Sequence, residues 1–543
     1  MNILAQAYNY LDFIFKSSPV GFKALLCDQE TLKFISVAIT KTELYKNEVY
    51  VINEISAFVR QPKDPEHESF SCFCILRPTS ENMNLIRNEL ENPHFPKYNL
   101  YFTNIVTDQQ IHQLANSDSN ALIQNLQEIY IDFSALGTRL FSLNIPNIYD
   151  FRHNPSLSSF SDRIAEGIFA SFCSLKLKPV IRYDSNSAVT KTIASKLSDL
   201  AQSNSDLFSG HQTENGLVLI LDRLNDPVTP LLHGFYFYSI VHDLFTIDNN
   251  VVEIGKDKIP IDERNDPETE KIGPMYLEEA QISIAARNDN YKKLMNQIHD
   301  TQEQDLTEKA IKIQQSSKEK NYTDNNLTLS DAFFNKIKSD NLFNITSLEQ
   351  YIASSDDAGK QFNLLNELIT SSKCAPLDAL RVSLIFMLRY EKSEPRMISE
   401  ILAALSSKYQ WSGQEMEYGN ALLAIAGEAK RAGDIFSNKN TIVKFIKNIK
   451  NLNEKSQFEM YHPPLENILK DIKECKLDQK QYPFIGKKSE PRKVIIFIIG
   501  GATYIEHMLV TKFSDKKTFQ FILGGTTIHN ANSFLKYEVE PFC

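Results

Sequence analysis

Short apolar runs alternate with amphipathic stretches along the first quarter of the chain. Phe22–Cys27, Ser36–Ile39, Val49–Ile52, Cys72–Leu76, Tyr98–Ile105 and Ile129–Phe133 read as strands, each parted from the next by a helix-like or turn-rich segment. That rhythm predicts an α/β unit with a mainly parallel sheet. Ahead of it, Ile3, Leu4, Leu11, Ile14 and Phe15 share one helical face. The first residues therefore predict an amphipathic helix; they lack the basic leader and unbroken apolar core of a secretion signal. The texture continues through a helical stretch, Ser161–Leu175, to a strongly apolar strand, Leu217–Leu221. It then stops, and returns only with Val494–Ile499 and Phe519–Leu523, strands that need a sheet to join.

Residues 251–486 have a different pattern. No proline occurs from Met275 to Ala375, and Leu277, Ile284, Tyr291 and Ile298 recur every seven residues with Ala280 and Leu294 between them, a narrow helical seam. The stretches 379–405 and 436–450 also carry helical spacing, the latter with Ser437 placed to cap it. The pattern predicts a fold of α/β plus α: an α/β domain at 1–133, a second α/β domain split between 134–250 and 487–543, and a mostly helical domain at 251–486 inserted in it. No repeat of fixed period is visible.

Composition narrows the function. The chain has 543 residues with 58 basic and 68 acidic side chains, a net charge of −10, so a nucleic-acid or anionic-lipid binder is a poor default. Its longest apolar run, Val494–Ile499 leading into Gly500, Gly501 and Ala502, is far shorter than the roughly 20 residues that span a bilayer. Seven scattered cysteines argue against a disulfide framework and for a reducing compartment. Cys72 and Cys74 alternate as strand residues do, and no second Cys or His pair stands near enough to complete a zinc site.

The search for reaction chemistry finds little. The Walker phosphate loop, the dinucleotide fingerprint, the nucleophile elbow and the zinc-protease helix are all missing, so no cofactor, metal or catalytic residue is assigned. Two Gly-Gly pairs follow strands, Gly500-Gly501 and Gly524-Gly525, where backbone N–H groups can cradle an anion. No lysine follows within the turn, and a tight passage out of a strand explains small residues equally well. The most enzyme-like stretch is LVLILDRLNDPVTPLLH, residues 217–233. Asp222 and Asp226 leave a strand at its C-terminal end, the usual ligand address in an open α/β sheet, with His233 and His242 following on a helix. A metal-dependent hydrolase uses such carboxylates. Against that, Asp222 adjoins Arg223, Asp226 precedes Pro227, and Thr229-Pro230 reads as a helix cap with proline in the first turn, all features of a structural turn. The two histidines are nine apart, on opposite sides of one helix, and cannot share a metal.

The same stretch, LDRLNDPVTPLLHGFYFYSIVHDLF with Asn249-Asn250 after it, resembles the most recognisable segment of the Sec/Munc (SM) family, which clasps syntaxin-type SNAREs. VIIFIIGGATYIEH and ILGGTTIHNANSFL resemble that family's closing strands. LLCDQET, CILRPTSEN, LFSLNI and QYPFIG further resemble its vacuolar-protein-sorting branch of the trans-Golgi and endosome route. The likeness runs in order along the whole chain.

The resemblance implies a three-domain arch and a regulator of vesicle fusion, not an enzyme. It implies a cytoplasmic protein recruited peripherally to Golgi and endosomal membranes, touching membrane only through its partners. Those partners would be a syntaxin-type SNARE, the assembled SNARE bundle and a vesicle SNARE, with no nucleic acid. Asp222, Arg223, Asp226, Pro227, Thr229, Pro230 and the four glycines would then be structural signature residues. A syntaxin N-terminal peptide, presenting an arginine and a bulky apolar residue, would bind in domain one against Ile111, Leu114, Ile123, Leu126 and Glu128. The residues agree: Ile111 and Leu114 lie three apart on a helical face, and in a strand 126–133 Leu126 and Glu128 point opposite to Ile129, Ile131 and Phe133. An apolar hollow with one carboxylate suits such a peptide, although the same residues also suit plain packing of helix on sheet. The stretch 300–330 departs from the family by being polar, without the proline and aromatics expected near the tip of the domain-three hairpin, and reads as a solvated or partly disordered element. Templating of a vesicle SNARE through it is correspondingly doubtful. A sister role at the endoplasmic reticulum, the vacuole or the plasma membrane would use the same arch.

Overall fold

The computed structural model describes every residue except 149–151, 153–157, 211–212, 301–305, 412, 432, 437–457 and 487. It opens with the helix Ile3–Lys16, which buries Ile3, Leu4, Leu11, Ile14 and Phe15 as the pattern predicts and is capped by the Asn2 side chain. Five strands follow: β1 (Lys23–Cys27), β2 (Val49–Glu54), β3 (Ser71–Leu76), β4 (Lys97–Phe102) and β5 (Ile123–Glu128). All neighbours pair in parallel, in the order β2-β1-β3-β4-β5.

Two expected strands are something else. Ser36–Ile39 closes the helix Gln29–Ala38, which starts where Asp28 accepts from the Thr31 N–H; four apolar residues alone do not separate a last helical turn from a strand. Ile129–Phe133 is buried at every position but Tyr130 and continues past the ladder, which ends when the Ile129 N–H donates to the Phe102 carbonyl. The edge strand is the polar Ile123–Glu128 immediately before it.

The second sheet gathers both ends of the chain. It takes β6 (Ser134–Gly137), β7 (Leu140–Ser142), β8 (Leu177–Tyr183) and β9 (Glu214–Asp222) from the first half. A small antiparallel sheet, β10 (Ile247–Asp248), β11 (Val251–Ile254) and β12 (Asp257–Pro260), then leads into the helical region, so that region does not start as helix. The return supplies β13 (Phe484–Ile485), β14 (Lys493–Ile499) and β16 (Gln520–Gly525), beside a short pair, β15 (Ala502–Thr503) and β17 (Ile528–His529). The order is β13-β8-β9-β14-β16-β7-β6, parallel except at its two outermost pairings, with β14 inserted between β9 and β16. β13 joins this sheet from two residues inside the expected 251–486 segment.

Between the halves, helices Leu277–Asp300 and Leu306–Ser339 pack as a pair. Leu277, Ala280, Ile284 and Ile298 of the seven-residue seam are buried, while Tyr291 and Leu294 are half-buried. The polar stretch expected to be loose is helical from Leu306 on, and it buries Ser316, Thr323, Asn326 and Ser330, which explains why no apolar stripe announced it. The stretch 379–405 is two helices, Pro376–Tyr390 and Pro395–Tyr409, broken just before Pro395. The helix expected at 436–450 with its Ser437 cap lies outside the described residues.

Three apolar layers hold these units. One covers the outer face of the first sheet, with Leu26, Cys72, Leu100 and Leu114. A second is shared by the first and second sheets, joining Leu25 and Phe73 to Ile220 and Phe497 through Ile131 and Phe133. The third runs from the other face of the second sheet, at Leu219 and Ile496, into the helical insertion at Phe333 and Leu384.

Candidate functional site

Thr107 and Gln110 form a reciprocal cap at the start of helix Asp108–Ser117, and Asp118 just past its end accepts from the Leu122 and Ile123 N–H groups at the start of the edge strand β5. Leu114 is 1% exposed and belongs to the outer apolar layer, against which Ile123 and Leu126 are half-buried. Ile111, one turn earlier, is 39% exposed. Glu128 ends β5, its Oε1 accepting from the Val106 N–H (2.7 Å) and its Oε2 from the Tyr130 hydroxyl (2.6 Å). Leu114, Ile123 and Leu126 therefore meet in one layer, and Ile111 lies one turn before Leu114 on the same helix. The carboxylate stands at the end of the same strand, already oriented by two donors. Tyr130 and Val106 had no distinguishing signal in the sequence, because their roles depend on where β5 ends.

The LDRLNDP stretch is built as a staple. Asp222 accepts from the Ser187 hydroxyl (2.8 Å) and the Leu224 N–H (3.0 Å), tying the end of β9 to the loop after β8. Arg223, 1% exposed, donates through Nε to the Gly501 carbonyl (3.0 Å) and through NH2 to both Glu506 oxygens (2.7 and 2.5 Å). Burial works against its charge, but Glu506 and Asp226 outweigh that and raise its pKa. Asp226 accepts from the Thr229 N–H (3.1 Å) and the Tyr461 hydroxyl (3.4 Å). Asp226 is thus the group that supports the 3-10 turn Thr229–Leu231, with Pro230 in its first turn; Thr229 is not the cap itself. Pro227 is buried between them.

The histidines differ from expectation as well. His233 lies ahead of helix Phe237–Phe245, which carries only His242. Its Nδ1 meets Glu349 (2.8 Å) and its Nε2 meets Arg381 (2.9 Å), both from the helical insertion. The Gly-Gly pairs serve close packing. Gly500 and Gly501 both have φ near +85°, at 82° and 88°, and a Cβ on them would strike Arg152 and His529. A Cβ on Gly524 or Gly525 would strike Phe141 or Ala502. Cys72 and Cys74 are buried strand residues with sulfurs 3.6 Å apart, and burial pushes the Cys72 thiol well up, away from reactivity.

A cleft of about 260 Å³ opens beside the staple, lined by Asp184, Asp222, Asp226, His462 and Glu506 among others. Its carboxylates are held by donors of the chain itself: Asp184 by the Asn186 N–H (3.0 Å) and Asn225 (2.6 Å), Glu506 by Arg223, and Asp222 and Asp226 as above. Among the described residues, no group of three His, Cys, Asp or Glu side chains is arranged to hold a metal ion. Among them also, no helix is long and apolar enough to cross a membrane.

Comparison with known proteins agrees with this geometry. The Sec1 family model matches residues 23–537. The chain is 30% identical to vacuolar protein sorting-associated protein 45 of Dictyostelium discoideum, covering 99% of this chain and 96% of that one. It is 30% identical to the Arabidopsis thaliana homolog of that protein, over 95% of this chain and 94% of the other. Among solved structures, the SM protein Vps45 in complex with the Qa SNARE Tlg2 (1-310) superposes with a TM-score of 0.86 at 26% identity, over 99% of this chain and 97% of that chain.

Proposed function

Because the chain belongs to the Sec1 family, we propose that it is an SM-type regulator of vesicle fusion, binding a syntaxin-type Qa SNARE and promoting SNARE assembly in trans-Golgi, endosomal and vacuolar sorting. The observation that carries the reading is the end-to-end likeness to an SM protein solved with its Qa SNARE, 99% of this chain at a TM-score of 0.86. In this reading it works by binding, without a chemical step, and reaches membranes through partners that carry the anchors. The engagement of Asp222 and Asp226 by Ser187, Leu224, Thr229 and Tyr461 supports a structural role for them over the hydrolase reading.

We assign the N-terminal peptide of that SNARE to the pocket of Ile111, Leu114, Ile123, Leu126 and Glu128 in domain one (1–133). Domain two (134–250 and 487–543) and domain three (251–486) complete the working division. The exposed Ile111 one turn before Leu114 of that apolar layer, and a carboxylate held by two donors at the end of β5, support this placement. Pull-down from a native lysate, followed by identification of the bound SNAREs, tests the partner. Thermal stabilisation by a syntaxin-type N-terminal peptide, compared with nucleotides and divalent metals, tests the pocket against the hydrolase reading. Stabilisation by metal alone would overturn the assignment.

A further inference from the structure

Within the pocket proposed above, and resting on that reading, one group stands outside the apolar contacts and yet controls the carboxylate. We infer that Tyr130 is a positioning residue: its hydroxyl, braced by helix Ser158–Ser174 of the second unit, sets the Glu128 carboxylate for recognition of a peptide guanidinium.

The geometry is specific. Glu128 is half-buried at the last position of β5, where a flexible side chain has several rotamers open to it. Two donors remove that freedom, the Val106 N–H on Oε1 and the Tyr130 hydroxyl on Oε2. An ionised carboxylate offers about four acceptor sites, so two remain for the fork of an arginine. Tyr130 is itself fixed: its ring meets Phe169 edge-on at 6.5 Å between centroids, and Phe169 is fully buried in the layer shared by the two sheets. Burial and the neighbouring Glu128 push the phenol well above its ordinary pKa, which keeps it a donor at all working pH values. The chain from Phe169 through Tyr130 to Glu128 crosses from the second unit to the first. Arginine preference would then depend on how the two units are docked.

Tyr130→Phe removes one oxygen and leaves the ring contact in place. The probe is a labelled synthetic syntaxin-type N-terminal peptide carrying an arginine and a bulky apolar residue, compared with the same peptide in which citrulline replaces the arginine. Citrulline keeps the shape and loses the charge. The wild-type chain should favour arginine over citrulline, and Glu128→Gln should abolish that preference. Tyr130→Phe should reduce the preference by roughly three- to tenfold, the range of one net hydrogen bond, while leaving citrulline-peptide affinity unchanged. A merely structural role for Tyr130 would weaken both peptides alike, and that outcome overturns the inference, as does a full arginine preference in a folded Tyr130→Phe protein. If the wild-type chain binds neither peptide, or if Glu128→Gln keeps the preference, the pocket assignment itself fails and the inference falls with it.

Discussion

Ile111 is the position at which the pocket can be broken without breaking the protein, and Ile111→Arg makes that a quantitative statement. At 39% exposure, about three-fifths of the isoleucine is covered. Full burial of such a side chain contributes about 1.5–3 kcal/mol, so the covered part is worth about 1–2 kcal/mol. An arginine recovers some of it through its aliphatic stem and a few tenths of a kcal/mol through better helix propensity. The net loss of stability should stay under about 1.5 kcal/mol. Binding changes more. The exposed two-fifths no longer contributes its roughly 0.6–1.2 kcal/mol on docking. A guanidinium within about 4 Å of the peptide arginine adds about 1–4 kcal/mol of repulsion for a local dielectric between water and a protein surface. The sum, at least about 1.6 kcal/mol, predicts a roughly fifteenfold or greater fall in peptide affinity, measured by isothermal titration calorimetry. Leu114 cannot serve as the test site. At 1% exposure, Leu114→Arg would bury an unpaired charge in the outer apolar layer, and even Leu114→Ala should cost about 2–5 kcal/mol. Undiminished affinity in an Ile111→Arg protein with wild-type circular dichroism would refute the placement of the pocket. A large drop in Tm would refute the reasoning from exposure.

Three further outcomes test the frame around the pocket. Asp132, fully buried, accepts from Arg77 (2.8 Å), Asn104 (3.0 Å) and Arg163 (3.2 Å), so Asp132→Ala leaves those cations only the more exposed Glu30 and Glu166 and should destabilise by up to about 3–5 kcal/mol, read as a lowered midpoint in urea. Asp222→Ala should lower stability by about 1–3 kcal/mol through the lost Ser187 and Leu224 bonds and leave the affinity for the N-terminal peptide unchanged. Glu263, buried beside Glu270 and accepting from the Thr138 N–H, has its pKa pushed up by burial to about 7. A raised carboxyl pKa means that the folded state binds the extra proton. Its contribution is therefore complete below the unfolded value near 4.5 and is lost as pH rises toward about 7. Glu263→Gln should remove this slope, so that the variant gains on wild type by roughly 2–3 kcal/mol between pH 5 and pH 8 in paired unfolding curves; parallel pH profiles would contradict the assignment.

What the sequence discloses follows from how strongly each element depends on its own residues. Helix Ile3–Lys16 and strands β9 and β14 are legible because one apolar face or one fully buried run specifies them. The split sheet is legible for a related reason, since two late apolar strands have nothing nearby to pair with. β5 is not, because an edge strand with Gln124, Asn125 and Gln127 half in solvent carries almost no alternation. Its neighbour Ile129–Phe133 drew the assignment away, being buried for a tertiary reason: it passes between the two sheets and lends Ile129, Ile131 and Phe133 to their shared layer. The pocket inherits this pattern. Its apolar members could be named from spacing and resemblance, whereas Tyr130 and the Val106 N–H could not, because a donor at the end of a strand is visible only once the strand has an end.

Clusters of buried ionisable groups ordinarily point toward chemistry. Here they trace the seams between units. Arg223 joins β9 to Glu506 and Gly501 of the returning chain, His233 and Asp243 meet Glu349 and Arg381 of the helical insertion, and Asp132 meets Arg77 on one side and Arg163 on the other. Each seam is closed by groups far apart in sequence, which is the physical content of the LDRLNDP stretch: one turn has to satisfy a loop, a distant carbonyl and a distant carboxylate at once. The first unit is seamed to the second through the segment that ends the edge strand. In that segment Tyr130 faces the pocket carboxylate and Asp132, two residues on, faces the inter-unit cations. A peptide that engages Glu128 therefore acts on the same short piece of backbone that docks the two sheets. Asp132→Ala should consequently weaken arginine-peptide binding as well as stability, whereas Asp222→Ala, equally structural but at the other seam, should not.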